Sequence, residues 1–265
     1  MQFADLVKLE PHGADVFVGT GPRYPWGGLY GGHIVAQALR AAADTVDPEF
    51  SPHSLRAYFI RLGDHEEPVR YEVDRIRNGG AFCTRRVVAR QATGAILNLE
   101  ASFQRLEPSA SVQTFPLDPN TARPESLVDD SWSSMFERRF VPGTDERGRA
   151  RAWFRLCDEL AADDAVLHAC GLAYVSDDLP TDAVIRVHPR GGPRFEEIAD
   201  SFFTASLDHT IWFHRPVRAD EWQLHDVVCH GFTGGRGLTV GHVFAADGTH
   251  VATVAQEVLV RERRE

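Results

Sequence analysis

The chain has 265 residues, room for one large domain or two of roughly 100–150 residues each. Its 43% hydrophobic and 25% charged residues are the balance of a globular protein, and a net charge of −10 argues against a nucleic-acid partner, which needs a basic face. Cys83, Cys157, Cys170 and Cys229 form no CxxC pair, "MQFADLVKLEPHG" does not read as a signal peptide, and no apolar run approaches the roughly 20 residues that cross a bilayer. The expectation is a cytoplasmic protein with no membrane association, no metal site and no cofactor.

The first predicted element is a strand, "DVFVGT" (15–20). In "GGHIVAQALRAAADTV" (31–46), Ile34, Val35, Ala38, Leu39 and Ala42 mark one face at helical spacing and predict a core helix. Segments 53–61, 68–77, 81–90 and 95–104 then read as strands rich in β-branched and aromatic residues. Gly79-Gly80 is a two-residue hairpin signal, and Thr93-Gly94 marks a second turn. From Pro108 to Ser131 four prolines and few large apolar residues predict a linker. The order then recurs. "RAWFRL" (151–156) reads as a strand, and "DDAVLHACGLAYVSDD" (163–178) as a helix capped by Asp163 or Asp164. Four further strands follow at 207–215, 221–230, 236–245 and 250–260, with Asp247-Gly248 as a hairpin turn.

The two strand series superpose without gaps at an offset of 154, which carries Phe59 onto Phe213, Arg61 onto Arg215, Gly80 onto Gly234 and Gly94 onto Gly248. The helices superpose at their own offset of 132, which carries Ile34 onto Val166. This predicts an α+β protein of two tandem units, 1–107 and 132–265, joined by the linker 108–131. Each unit is an antiparallel sheet wrapped round a long central helix.

Within "TASLDHTIWFHRP" (204–216), Ser206, Asp208 and His209 precede an apolar run. A carboxylate there costs free energy unless something pairs with it. Neighbours on a strand point to opposite faces, so Asp208 and His209 cannot meet as a dyad. Asp208 is expected to share the face of Ser206 and to pair with an arginine or a backbone group, and His209 to be half-buried.

Taken in order, "YGGHIVAQAL", "HSLRAYFIRLGD", "RNGGAFCTRRV", "YVSDDL", "SLDHTIWFHRP", "GRG" (235–237) and "VAQE" resemble the acyl-CoA thioesterase II family, the double-hotdog thioesterases. The resemblance spans nearly the whole chain. It implies a double hotdog fold with one continuous sheet, hydrolysis of fatty acyl-CoA to fatty acid and coenzyme A, and a homodimer. In that family a carboxylate near the end of the second helix, a hydroxyl on the following strand and an amide on the last strand hold the attacking water. Motif by motif these fall on Asp177, Ser206 and Gln256, with Asp178 one residue of slip away. At the repeat offsets the counterparts are Thr45, Pro52 and Ser102, so one active site per chain is expected, in the second unit.

Such a trio suits thioester hydrolysis. A buried carboxylate with a raised pKa can take a proton from water, and a hydroxyl and an amide can fix the line of attack. The leaving thiolate, with a pKa near 8.5 like that of cysteine, needs little acid assistance. The amides of Gly31-Gly32, ahead of the first helix, suit an oxyanion. Arg75, Arg77, Arg85 and Arg86 lie on adjacent strands and could meet the phosphates of coenzyme A or form a solvated face. His33 and His53 also lie in matched motifs. Two readings compete with the hydrolase: a non-catalytic acyl-CoA-binding protein, and a hotdog hydratase or dehydratase built on His168 with Asp163 or Asp164. No G-x-S-x-G supports a serine hydrolase. The Arg261–Arg264 tail reads as a charged terminus.

Overall fold

The computed structural model describes residues 1–142, 147–192 and 199–263. Arg264, in the charged tail, lies outside the described residues. A short helix α1 (Phe3–Leu6) and strands β1 (Glu10–Pro11) and β2 (Val16–Gly19) lead into helix α2 (Gly31–Ala43). The four strands expected next are β3 (Phe50–Phe59), β4 (Val69–Asn78), β5 (Phe82–Gln91) and β6 (Gly94–Arg105). Past the proline-rich stretch come β7 (Phe136–Phe140), which sequence reasoning did not anticipate, and β8 (Arg149–Leu156).

Helix α3 (Ala165–Val175) starts on the Asp164 cap, whose Oδ1 accepts the Leu167 N–H at 2.8 Å. It ends three residues before the expected 178, and a second helix, α4 (Leu179–Ile185), follows. Pro180 explains the break. It lacks the N–H that would bond the Ser176 carbonyl, and its ring would clash there. The turn it forces carries Asp177 and Asp178 out of the helix.

The last strands are β9 (Phe202–Ser206), β10 (Asp208–Phe213), β11 (Gln223–Thr233), β12 (Arg236–Ala245) and β13 (His250–Glu262). Among the described residues, thirteen strands form one sheet. Its two halves repeat one spatial order: β2-β4-β5-β6-β3 continues directly into β10-β13-β12-β11-β8. The halves join where β3 runs antiparallel to β10, with Leu55 beside Ile211. Helices α2 and α3 pack against each other, and α4 covers β8, β11, β12 and β13. Most buried apolar side chains of both halves form a single core, so the repeat shares its hydrophobic stabilisation.

Two details correct the sequence reading. The expected strand 207–215 is β10, and it is preceded by a strand the sequence reading did not include, β9, with Leu207 between them in neither. Ser206 pairs with Val258 while Thr210 pairs with Ala255, so four residues oppose three, which is a β-bulge. The first half carries its bulge at the matching place, His53, between Pro52 and Ser54. The second correction concerns the last strand, where the repeat offset is 155 rather than 154. Arg85 pairs with Ala101 in β5–β6, and its counterpart Thr239 pairs with Gln256 in β12–β13. The counterpart of Gln256 is therefore Ala101, not Ser102, and the identity of Ala101 with Ala255 is coincidence. The hairpins differ as well. Gly234 and Gly235, with φ of 57° and 77°, make the tight two-residue turn, whereas Asn78 pairs with Cys83 across a longer loop at Gly79-Gly80.

Candidate active site

The N-terminus of α2 abuts the C-terminus of α3, so the two helices run antiparallel. Only glycine fits the approach. A Cβ on Gly32 would lie 2.1 Å from the Tyr174 carbonyl oxygen, and one on Gly31 would lie 2.4 Å from Asp177 Oδ2. The Gly32 N–H donates to Asp177 Oδ2 at 3.0 Å. The expected oxyanion pair is thus half committed, because the Gly32 amide serves the carboxylate. The positive end of α2 favours the ionised form of Asp177.

Asp177 Oδ1 accepts from Ser206 Oγ and from Gln256 Nε2, each at 2.8 Å, and Gln256 Nε2 also lies 2.8 Å from Ser206 Oγ. The structure brings these three residues together. Asp177 is 6% exposed and Gln256 0%, while Ser206 is half-buried, so solvent reaches the trio from the Ser206 side. Burial pushes the Asp177 carboxyl from an ordinary 3.8 up to about 6, against the opposing pull of Ser206, Gln256 and the Gly32 amide. Burial and the nearby Asp177 charge hold the Tyr30 hydroxyl far above its usual range.

Asp178 points elsewhere. Its oxygens accept from Trp132 Nε1 at 2.6 Å and Arg138 Nη1 at 2.8 Å. The adjacent carboxylates are therefore separated: Asp177 meets Ser206 and Gln256, and Asp178 anchors the β7 side. Asp208 does not share the face of Ser206. The bulge at Leu207 turns it outward, where Oδ1 accepts the Glu257 N–H at 2.8 Å and Oδ2 meets Arg56 Nη2 at 3.3 Å. It does both of the things expected of it, pairing with an arginine and holding a backbone N–H. His209 turns inward and is fully buried, not half-buried. Its Nδ1 lies 2.5 Å from Gln256 Oε1, a contact sequence reasoning missed because the bulge reverses the alternation.

The remaining candidates lie apart from the trio. His53 Nε2 meets Ser102 Oγ at 2.8 Å, and His168 Nδ1 accepts the Ala219 N–H at 3.1 Å. His33 is buried in α2, close under Gly21, and burial lowers it to about 4. Of the four arginines, Arg75 pairs with Asp15 and Arg86 with Asp74. Arg85 is 1% exposed and cannot meet a phosphate. It donates to Thr45 Oγ1 and O, Asn78 Oδ1, Arg77 O and Thr84 O, at 2.7–3.0 Å. Among the described residues no cluster of three His, Cys, Asp or Glu side chains is arranged to hold a metal ion, and no helix is long and apolar enough to cross a membrane.

Two family models match the chain: "Acyl-CoA thioesterase N-terminal domain" over residues 20–104 and "Acyl-CoA thioesterase C-terminal domain" over 110–260. The chain belongs to the acyl-CoA thioesterase II family. It is 32% identical to mouse acyl-coenzyme A thioesterase 8 over 291 residues, covering 97% of this chain and 88% of that protein. It is 30% identical to Haemophilus influenzae acyl-CoA thioesterase 2, covering 97% and 96% of the two chains. Among solved structures, the acyl-CoA thioesterase II TesB2 of Mycobacterium marinum superposes with a TM-score of 0.84 at 35% identity, covering 98% of this chain and 97% of that one. A hotdog-fold protein of Alicyclobacillus acidocaldarius superposes at 0.79 with 20% identity, covering 99% and 98%. The fold is the double hotdog and the protein is a thioesterase.

Proposed function

We propose that this thioesterase hydrolyses fatty acyl-CoA to the free acid and coenzyme A, with Asp177, Ser206 and Gln256 as the catalytic residues. The observation that carries the reading is the carboxylate at the centre of the trio, buried, hydrogen-bonded and raised to about 6. A general base works best when its pKa lies near the working pH. Oδ1 is occupied by Ser206 and Gln256, while Oδ2 takes a single N–H from Gly32, so Oδ2 keeps a lone pair for the proton of water. Ser206 Oγ, which donates to Asp177 and accepts one N–H from Gln256, keeps a lone pair that can take a hydrogen bond from that water and hold it in line with the thioester carbonyl, while Gln256 fixes Ser206 and Asp177 around it. The thiolate leaves without acid help, and the Gly31 amide at the head of α2 serves the oxyanion. In keeping with this reading, we place the catalytic unit at 132–265, with 1–107 as scaffold and 108–131 as linker. The enzyme is expected to work in the cytoplasm as a homodimer.

The test is free-thiol release from short to long acyl-CoAs by the wild type, Asp177→Asn and Asp178→Asn. Hydrolysis by the wild type should fall on the order of 10²–10⁴-fold in Asp177→Asn and persist in Asp178→Asn. The reverse ranking would move the base to Asp178. Absence of thiol release from every substrate would leave an acyl-CoA-binding protein.

A further inference from the structure

Gln256 raises a question of orientation. A side-chain amide is nearly symmetric in shape but opposite at its two ends, one donating and one accepting. In the trio only the donating end is useful. Turned over, Gln256 would set its carbonyl oxygen against the Asp177 carboxylate, repelling it, and would offer Ser206 no donor. Something must hold the amide the right way round in a site where Gln256 is fully buried.

The neighbour on the far side is His209, whose Nδ1 lies 2.5 Å from Gln256 Oε1. Its other nitrogen, Nε2, lies 2.9 Å from the Ser176 hydroxyl. That hydroxyl has a second, longer option, the Ala173 carbonyl at 3.3 Å. When Ser176 donates to His209 Nε2, the ring proton of the neutral imidazole sits on Nδ1 and points at Gln256 Oε1. Burial keeps the ring neutral, lowering it to about 4. The backbones that carry both side chains are anchored: His209 is paired with Ala57 of β3, and Thr239 Oγ1 donates to the Gln256 main-chain carbonyl at 3.0 Å. The donors then run one way: Ser176 to His209, His209 to Gln256, Gln256 to Asp177 and Ser206.

We propose that His209 is a positioning residue, whose Nδ1–H fixes the orientation of the Gln256 amide so that its N–H groups face Asp177 and Ser206. The proposal rests on the trio being the catalytic site. His209 acts only through Gln256 and touches no reacting atom. Asparagine can imitate it, since an Asn Nδ2 occupies nearly the place of the imidazole Nδ1. Leucine keeps the site filled but has no donor.

The test compares His209→Leu, His209→Asn, Gln256→Ala and the double variant His209→Leu/Gln256→Ala, each first confirmed as folded by its melting transition. In thiol release, His209→Leu should lower kcat on the order of 10²-fold with KM little changed, and His209→Asn should recover most of that loss. In the Gln256→Ala background the His209→Leu change should cost little more, because its route of action is already gone. A second readout needs no substrate: the Asp177 carboxyl is titrated by carbon NMR of aspartate-labelled protein. His209→Leu frees Gln256 to turn and remove a donor from Asp177, so the midpoint should move upward by on the order of one unit. Losses that simply add in the double variant, or an Asp177 midpoint unchanged in His209→Leu, would overturn the proposal. If the wild type released no thiol, the catalytic reading would fall, and the titration would still decide whether His209 orients Gln256.

Discussion

At the scale of the residue, the governing fact is that Asp177 carries a carboxylate into a place where charge is costly. Three donors lower that cost without cancelling it, so the pKa settles at about 6. Two pH dependences follow. In the proposed role of base, Asp177 must be ionised, so kcat/KM should fall about tenfold per pH unit below 6 and level off above it. Stability moves the other way. A carboxyl raised on folding binds its proton more tightly in the native state, so its contribution is complete below the ordinary 3.8 and is lost as pH climbs through about 6. Relative to Asp177→Asn, the wild type should lose about 2 kcal/mol of unfolding free energy between pH 4 and pH 7. Urea melts at several pH values measure it, and a flat difference would mean that Asp177 is not strained by burial.

At the scale of the element, one extra residue decides which side chains enter the site. Leu207 makes β9 and β10 two strands out of register, so Ser206 and His209 both point inward although three positions separate them. Deleting Leu207 would restore strict alternation and still leave Ser206 and His209 on one face, now two positions apart opposite Val258 and Gln256. The deletion should therefore lower thiol release only in part while leaving the far-ultraviolet circular dichroism nearly unchanged. Complete loss of activity would show that the bend made by the bulge, and not the facing of the two side chains alone, sets the geometry. This is also where the sequence was least legible. The strands were readable because β-branched residues alternate between glycine turns. A bulge leaves no comparable mark, since "SLDHT" reads as an unbroken strand. The inward turn of His209 and the outward turn of Asp208 were hidden for that reason, whereas the one-residue shift of β13 arises in the hairpin before it, where Gln91 pairs with Gly94 but the Ala245 N–H bonds Thr249 one residue further on. The break between α3 and α4 did have a signal, Pro180, which a purely periodic reading of the helix passes over. The grouping of Asp177, Ser206 and Gln256 could not be derived from spacing, because the contacts span 29 and 79 positions of the chain. It was visible only through resemblance.

At the scale of the whole molecule, the two halves share a plan but have filled it differently. Where the second half places Asp177 and Gln256, the first places Thr45 and Ala101, with Arg85 packed against Thr45. All five guanidinium N–H groups meet neutral oxygens, so the charge is satisfied without a carboxylate. Arg85→Met should therefore destabilise the protein by on the order of 2–4 kcal/mol, because several buried acceptors lose their donors at once. It should leave kcat/KM close to that of the wild type. A thermal melt and a thiol-release assay on one preparation would settle both, and a large loss of activity without loss of stability would restore Arg85 as a ligand for coenzyme A.

The contact between Gly32 and Asp177 has a consequence for the history such a chain can have. Repetition ordinarily supplies a spare copy that is free to drift or be discarded. Here the copy without the trio still contributes the helix end that its sibling's carboxylate leans on, through a gap that admits no side chain. Neither half can be shed, and the one is constrained at a glycine as tightly as the other is at its aspartate.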